Sequence, residues 1–455
     1  MAVYDLSPVE VPRIETRYRT IRTKIPVPES VPLFQALAAS EPRSMAGQPP
    51  IVWHRAEDFT VYDRWGNRWI DWSSCVLVAN AGHGRPEIRD ALKKIVDQGL
   101  VASYVFVHEQ RAELCAMLKS LSPDPESYRV FLLSTGSEAT ENAIKLARTY
   151  ALEKYGLRRK YLVSFRHAFH GRTMGAQIAG GIDEQKRWLG AADPAFVQVP
   201  FPDGYKNTDT SFDLFLSSLS AKSITPAEIA GIITESYQGV GPDFFPVEYA
   251  RRLEGFCRQN DIVLIFDEVQ SGFGRTGKMF CYEHYGVKPD IICCGKGISS
   301  SLPISAVIGR QDILGLYAPG SMTTTHSASP LPVAAAIANL KIILGENLAG
   351  RAARMEGVLM PVLAGIQTRH PDRLGCLHGK GLVAGLQVVK PGTKTPDPET
   401  ALAINIAAMR KGVLMFAPVG IAGECLKIAP PLTIAEEALM ESAQVFGEAV
   451  EEVLG

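Results

Sequence analysis

The most regular pattern in the chain is a set of short apolar runs, each ending at polar residues or glycine. One run covers Ile262–Phe266 and stops at Asp267, and another covers Ile291–Cys294 and stops before Gly295-Lys296-Gly297. Further runs lie at Val130–Leu133, Tyr161–Phe165 and Ile232–Thr234. Uninterrupted apolar runs of this length predict strands buried on both faces of a parallel sheet. The run at Val130–Leu133 is followed by a pattern that predicts a long helix. The chain is therefore expected to adopt an α/β fold.

The residues that end two of these runs indicate a site. Open α/β sheets bind ligands at the carboxyl ends of their strands, so Asp267 and Lys296 are expected to face one crevice. An aspartate in such a place is commonly only a turn residue, and Gly-Lys-Gly also occurs in ordinary loops. As a pair, however, they suit pyridoxal 5'-phosphate, which needs a carboxylate at its ring nitrogen and an amine that forms a Schiff base with its aldehyde.

A longer motif connects the two residues to a known family. The stretch Asp267-Glu268-Val269-Gln270-Ser271-Gly272-Phe273-Gly274-Arg275-Thr276-Gly277, followed by Gly-Lys-Gly at Lys296, closely resembles the signature of class III pyridoxal-phosphate aminotransferases. This is the fold type I family of ornithine, 4-aminobutyrate and other ω-amine transaminases. The resemblance implies an N-terminal arm at 1–60, a large cofactor-binding domain with a mostly parallel sheet at 61–332, and a small C-terminal domain at 333–455. The N- and C-terminal segments together would form the smaller α+β domain.

A glycine- and serine-rich turn before the long predicted helix offers a contact for the phosphate. Free N–H groups and the positive end of a helix bind anions, although Ser137 with Glu138 would also serve as an ordinary helix cap. The resemblance implies that Gly136 and Ser137 hold the cofactor's phosphate. It also implies a homodimer in which Thr325 reaches the phosphate bound by the partner subunit.

The resemblance also assigns the contacts of the pyridine ring. Lys296 is then the catalytic lysine that carries the cofactor, and Asp267 keeps the ring nitrogen protonated. The other contacts are stacking by Phe169, positioning by His170, packing by Val269 on the opposite ring face, and a hydrogen bond from Gln270 to the phenolic oxygen.

Three positions are expected to bear on the substrate. Cys75 stands where the family commonly has glycine in a segment that lines the substrate pocket, although a plain core thiol is an equally good interpretation. Glu235 follows a predicted strand and resembles a glutamate that pairs with a carboxylate-binding arginine. That arginine is Lys427 here, and lysine offers a point charge in place of a planar bidentate fork. We therefore expect a substrate amine without an α-carboxylate, such as an ω-amine or amino sugar.

Composition excludes several other classes of function. The chain has 455 residues, of which 46% are hydrophobic and 21% charged, and its net charge is −1. No basic face for nucleic acid is implied, and no apolar stretch approaches the length of a membrane span. The eight cysteines show no metal-ligand spacing, so no metal site is expected. Reduced thiols and the lack of a signal-peptide pattern predict a cytoplasmic protein.

Four activities fit these observations. The leading one is an aminotransferase that moves an amino group between an amine and a keto acid or aldehyde. A racemase or epimerase would return the proton to the same carbon, and a lyase or decarboxylase would break another bond there. A cofactor-binding regulator without activity is the least favoured, because Lys296, Asp267 and the phosphate turn are all present.

Overall fold

The computed structural model describes residues 4–455, which form two compact units. One unit is continuous, from Pro86 to Ala349. The other combines the described residues up to Arg85 with Gly350–Gly455. The sequence predicted boundaries at residues 60 and 332, whereas the observed division falls after Arg85 and after Ala349.

Pairing and packing explain where the division falls. The Arg68–Asp71 strand pairs in parallel with Val413–Leu414, which keeps the first 85 residues with the C-terminal segment. The Pro330–Gly345 helix packs instead on Pro86–Asp97 and Glu109–Ser120, so it belongs to the continuous unit. Neither relation is visible in a local sequence pattern.

The continuous unit is built on a seven-stranded sheet. Its strands are β1 (Tyr128–Leu133), β2 (Tyr161–Phe165), β3 (Phe196–Val199), β4 (Ile229–Glu235), β5 (Val263–Asp267), β6 (Ile291–Cys294) and β7 (Ser305–Arg310). The order across the sheet is β1-β7-β6-β5-β4-β2-β3. Only β7 runs antiparallel to its neighbours, which confirms the mostly parallel central sheet. The central strands β4, β5 and β6 are buried along their whole length, as their unbroken apolar runs predict.

Helices and a short hairpin complete this unit. The Gly136–Tyr155 helix places Ala139, Ala143 and Ala147 on one face, and these small residues pack against Ile265 and Ile291 of the sheet. The helices are Pro86–Asp97, Glu109–Ser120, Gly136–Tyr155, Met174–Ala179, Phe212–Ser220, Val247–Asn260, Gln311–Leu314 and Pro330–Gly345, and the hairpin joins Tyr237–Gln238 to Asp243–Phe244.

The discontinuous unit contains two antiparallel-rich sheets. In the Trp65-Gly66-Asn67 turn, the Asp63 carboxylate accepts hydrogen bonds from the N–H groups of Trp65 and Asn67 at 2.8 and 2.9 Å. The first sheet comprises Ile14–Glu15, Thr20–Ile21, Arg55–Glu57, Thr60–Tyr62, Arg68–Asp71 and Val413–Leu414, and the second comprises Leu374–Lys380, Val383–Val388 and Cys425–Ile428. The helices are Val31–Ser40, Leu348–Arg369, Pro398–Arg410 and Glu436–Leu454, of which Leu348–Arg369 begins at the boundary. Ser74–Leu77 forms a single left-handed turn.

Within residues 4–455, no single helix is both long and apolar enough to cross a membrane. The consecutive helices Pro330–Gly345 and Leu348–Arg369 satisfy a test of length and composition only when taken together as a bent pair.

Candidate active site

The carboxyl end of β5 carries a buried acid paired with a histidine. Asp267 ends the strand at 5% exposure, and its Oδ2 lies 2.8 Å from Nδ1 of His170, which comes from the loop after β2. Its other oxygen accepts a hydrogen bond of 3.1 Å from the N–H of Val269. Among residues 4–455, His170 Nε2 is buried and has no hydrogen-bond partner. The hydrogen bond between the two residues fixes the carboxylate in one orientation.

The predicted phosphate turn lies at the carboxyl end of β1 and opens the Gly136–Tyr155 helix. The helix cap is Thr135, whose hydroxyl accepts from the N–H of Glu138 at 3.2 Å, while the Glu138 carboxylate accepts from the N–H of Thr135 at 2.8 Å. The cap is therefore a reciprocal capping box of Thr135 with Glu138, and not the alternative cap formed by Ser137 with Glu138. In the described chain the N–H groups of Gly136 and Ser137 have no acceptor, so both are available to an anion.

Val269 packs between two glycines. A Cβ atom added at Gly136 would lie 2.7 Å from Cγ1 of Val269, and one added at Gly295 would lie 3.1 Å from the same methyl. Both glycines are thus required by the close approach of the valine rather than by their backbone angles. This contact brings the predicted phosphate turn, the second residue after Asp267 and the turn before Lys296 into one place.

Glu235 ends β4 directly opposite Asp267 in the parallel register. Its Oε2 accepts from the N–H of Phe169 at 2.9 Å, and its Oε1 accepts from the N–H of Gly239 at 2.8 Å. Burial, above all, raises the pKa of Glu235 to about 7, and the nearby Asp267 acts in the same direction. Gln270 is partly buried. Its amide lies next to Gly239, since a Cβ added at Gly239 would lie 2.8 Å from Gln270 Nε2.

Lys296 occupies the turn that follows β6. Its φ of 44° lies in the left-handed region, which costs a non-glycine residue some backbone strain. Asn339 stabilises this turn by donating from Nδ2 to the carbonyl oxygens of Gly297 and Ile298 at 2.9 and 2.8 Å. Burial lowers the pKa of the Lys296 amine, while the carboxylates of Asp267 and Glu235 raise it. The net direction is downward, which favours the neutral, nucleophilic amine.

Two residues that support the site were not predicted from the sequence. Asn339 is a buried amide on a helix whose other buried residues are all apolar, and that contrast is the signal that could have revealed it. Glu268 is fully buried, and its carboxylate accepts from the hydroxyls of Ser236 and Ser271 and from the N–H groups of Cys281 and Tyr282. Because successive strand residues face opposite sides, an acid next to Asp267 at the end of a buried strand has to be buried as well.

Thr325 is exposed on the surface of the continuous unit. Within the same segment, Ser327 donates to the carbonyl oxygen of Leu132 at 2.6 Å, which anchors the segment to β1. Among the described residues, Thr325 forms no hydrogen bond with Gly136 or Ser137 of its own chain.

The two remaining predicted substrate residues belong to the discontinuous unit. Cys75 is exposed and lies in a turn in which Ser74, Cys75, Val76 and Leu77 all have positive φ, between 46° and 63°. The thiol group itself is partly surrounded by protein. This partial burial, together with the nearby Asp71, raises the pKa of the thiol, so Cys75 is not an activated nucleophile. Lys427 lies in the Cys425–Ile428 strand and is only 2% exposed, which is unusual for an ammonium group.

The groups of the continuous unit fit pyridoxal phosphate. Free N–H groups at a helix start suit its phosphate, a histidine-held acid suits its ring nitrogen, and a lysine with a lowered pKa suits its aldehyde. Both Asp267 and Lys296 lie at carboxyl ends of adjacent strands, where such sheets bind their ligands. The fold and the site together define a pyridoxal-phosphate-dependent transferase of fold type I.

Comparison with known proteins narrows the class to a family. The chain belongs to the class III aminotransferases, since the family described as aminotransferase class-III matches residues 43–450. It is 33% identical to 4-aminobutyrate aminotransferase of Mycobacterium leprae over 440 residues, which cover 94% of this chain and 97% of that protein. It is 32% identical to alanine/serine racemase of Pyrococcus horikoshii over 421 residues, or 89% of this chain and 86% of that one.

A solved structure agrees in fold. Taurine:2-oxoglutarate aminotransferase of Bifidobacterium kashiwanohense, in complex with pyridoxal phosphate and glutamate, superposes with a TM-score of 0.84 at 27% identity. The match covers 93% of this chain and 97% of that chain. The protein is therefore an aminotransferase that uses pyridoxal phosphate, as the motif around Asp267 predicted.

Proposed function

We propose that this aminotransferase takes its amino group from an amine whose reacting carbon carries no carboxylate. The observation that carries the proposal is the lysine at position 427. The family resemblance implies at this position an arginine that binds an α-carboxylate with two hydrogen bonds. Replacing a fork by a point charge removes one of two parallel charge-assisted hydrogen bonds, each worth about 1.5–3 kcal/mol. The name of the relative from Mycobacterium leprae adds support, because the amino group of 4-aminobutyrate is remote from its carboxylate.

The proposed chemistry assigns a role to each residue of the site. When bound, pyridoxal phosphate supplies an aldehyde that binds amines and a ring that accepts the electron pair left when the carbon beside nitrogen loses its proton. Lys296 takes that proton and later returns it, which its lowered pKa favours. Asp267, oriented by His170, holds a proton at the ring nitrogen. The N–H groups of Gly136 and Ser137 hold the phosphate.

Three further contacts keep the ring in place in this proposal. Phe169 stacks on one face, Val269 packs on the other, and Gln270 donates to the phenolic oxygen. Val269 is well suited to its role because Gly136 and Gly295 leave it little room to move.

The assignment of Lys296 can be tested by chemical labelling. Borohydride reduction of the holoenzyme followed by peptide mass mapping should place the cofactor on Lys296. A label on any other lysine would overturn the assignment.

The substrate proposal is tested with the half-reaction, followed by absorbance without a keto acid, across amines and amino acids. Lys427→Arg should improve turnover of α-amino acids and leave the best neutral amine little changed. The proposal fails if the wild type prefers a plain α-amino acid to every amine and Lys427→Ala abolishes that preference, because Lys427 would then be the carboxylate clamp.

A racemase is the second candidate, favoured by the similarity to the alanine/serine racemase. Supplying a keto acid together with a single enantiomer of an amino acid separates the two. An aminotransferase converts the keto acid to an amino acid, whereas a racemase scrambles the configuration and leaves the keto acid untouched.

We also infer a homodimer with shared sites. Phe106 and Val107 are 76% and 87% exposed on the single chain, which is unusual for apolar side chains that lie side by side. Thr325 is exposed as well, and we propose that it reaches the phosphate held by the partner subunit. Mixing Lys296→Ala with Thr325→Ala subunits, each impaired alone, should restore activity in hybrid dimers. If hybrids form and stay inactive, the shared site is wrong.

The cytoplasmic location stays a prediction.

A further inference from the structure

The carboxylate of Glu235 is surrounded by backbone donors of two chain segments, as expected for a residue that holds segments together rather than for one that binds substrate. It pairs with Asp267 across two parallel strands, so the two side chains leave the same face of the sheet. Each is 5% exposed. A carboxylate buried to this degree needs hydrogen bonds to offset its lost hydration, and Glu235 obtains them from the protein backbone.

The two hydrogen bonds join separate segments. Oε2 holds the N–H of Phe169 at 2.9 Å, in the loop after β2, and Oε1 holds the N–H of Gly239 at 2.8 Å, in the short hairpin after β4. Gly239 in turn borders the Gln270 amide, because an added Cβ would lie 2.8 Å from Gln270 Nε2 and 2.9 Å from Glu235 Oε1. One carboxylate thus connects the backbone of the ring-stacking loop to the segment next to Gln270.

We propose that Glu235 is a positioning residue of the cofactor site, which fixes the Phe169 loop against the Gly239 segment through its two carboxylate oxygens. The inference rests on the proposed function, since Phe169 and Gln270 matter as ring contacts only if the cofactor binds there. It replaces the role expected from the sequence, in which Glu235 pairs with the substrate-binding cation Lys427.

Glu235 influences the site through its charge as well as through its hydrogen bonds, because the charge affects the pKa of Lys296. The charged groups that interact with it are Asp267, His170 and Lys296. Because its ionised form raises the pKa of Lys296, removing that charge should lower the pH at which the lysine amine becomes neutral. A residue that merely filled space would leave this property unchanged.

The test uses apo-enzyme titrated with pyridoxal phosphate, with the affinity and the pH dependence of the capture rate both followed by absorbance. Glu235→Gln keeps the size but presents an NH₂ group to one of the two donors. Glu235→Asp keeps the charge but is one methylene too short to reach both. The matched control is Glu228→Gln before the other end of β4, where an exposed carboxylate accepts from Thr225 at 2.9 and 2.7 Å.

Glu235→Gln should weaken cofactor affinity roughly tenfold, as expected for one lost charge-assisted hydrogen bond, and should lower the pH midpoint of capture. Glu235→Asp should also weaken affinity but keep the midpoint near that of the wild type, and Glu228→Gln should change neither. The inference is overturned if both Glu235 variants capture the cofactor like the wild type and only the KM for the amine rises. Failure of the wild type to capture the cofactor on Lys296 would instead refute the proposed function.

Discussion

The contact between Gly136 and Val269 gives a prediction whose size can be worked out from the structure. In Gly136→Ala the new methyl would lie 2.7 Å from Cγ1 and 3.3 Å from Cγ2 of Val269, against an ordinary carbon–carbon contact of about 3.5–4.0 Å. Valine cannot easily turn away, because its branched side chain has few allowed rotamers. Overpacking of this kind costs about 1–3 kcal/mol.

An opposing term reduces that cost. Replacing glycine by alanine in a helix stabilises it by up to about 1 kcal/mol, because the unfolded chain loses less entropy. The net expectation is a loss of about 1 kcal/mol in the free energy of unfolding. The matched control is Gly255→Ala in the Val247–Asn260 helix, where nothing lies within 4 Å of the added methyl, and it should stabilise by about 0.5–1 kcal/mol.

Urea unfolding of the apo-enzymes, followed by circular dichroism, measures both changes. Val269→Ala removes the clashing methyls, so the double variant with Gly136→Ala should be more stable than the sum of the single changes by about 1–2 kcal/mol. The reasoning is refuted if Gly136→Ala stabilises the protein as much as Gly255→Ala and the double-mutant cycle shows no coupling.

Three further predictions concern buried polar groups. Asn339→Ala removes both donors to the turn after Lys296 and should cost about 2 kcal/mol in urea unfolding, with no recovery in Asn339→Asp, which lacks the NH₂ group. Glu268→Gln should cost about 3 kcal/mol, because its amide NH₂ would meet N–H and O–H donors, and an unchanged melting temperature would contradict this. Burial raises the pKa of Glu235 from 4.5 to about 7, so the folded state binds more protons than the unfolded state between these values. Stability should therefore fall by at most about 3 kcal/mol as pH rises from 4.5 to 7, and Glu235→Gln should lack this slope in pH-dependent unfolding.

The strands and the ends of strands could be predicted from the sequence because local pattern determines them. An apolar run as dense as that before Asp267 is stable only inside a sheet covered on both faces, and the polar residue that ends it must then lie at the ligand-binding edge. The place of Asp267 followed from this rule, whereas its hydrogen bond with His170 did not, because the two residues lie 97 positions apart in the chain. The division at Arg85 did not, because it depends on the pairing of Ile70 with Val413, which are far apart in the chain.

The finer contacts of the site could not be predicted for a related reason. The partners of Glu235 are backbone N–H groups, which leave no trace in the side-chain pattern, and one of them is 66 residues away. The capping residue of the long helix is Thr135, which the sequence alone does not distinguish from Ser137, since both are good caps and only the first helical residue decides between them.

The capping box at Thr135 has a consequence for how the start of the helix behaves without a bound anion. Because the helix satisfies its own third N–H group through Thr135 and Glu138, its start does not need an anion to hold its shape. If this turn holds the cofactor's phosphate as proposed, its N–H groups are already in place before binding, and little ordering has to accompany it. Loss of the cofactor should therefore leave the start of this helix folded, because its capping hydrogen bonds come from the chain itself.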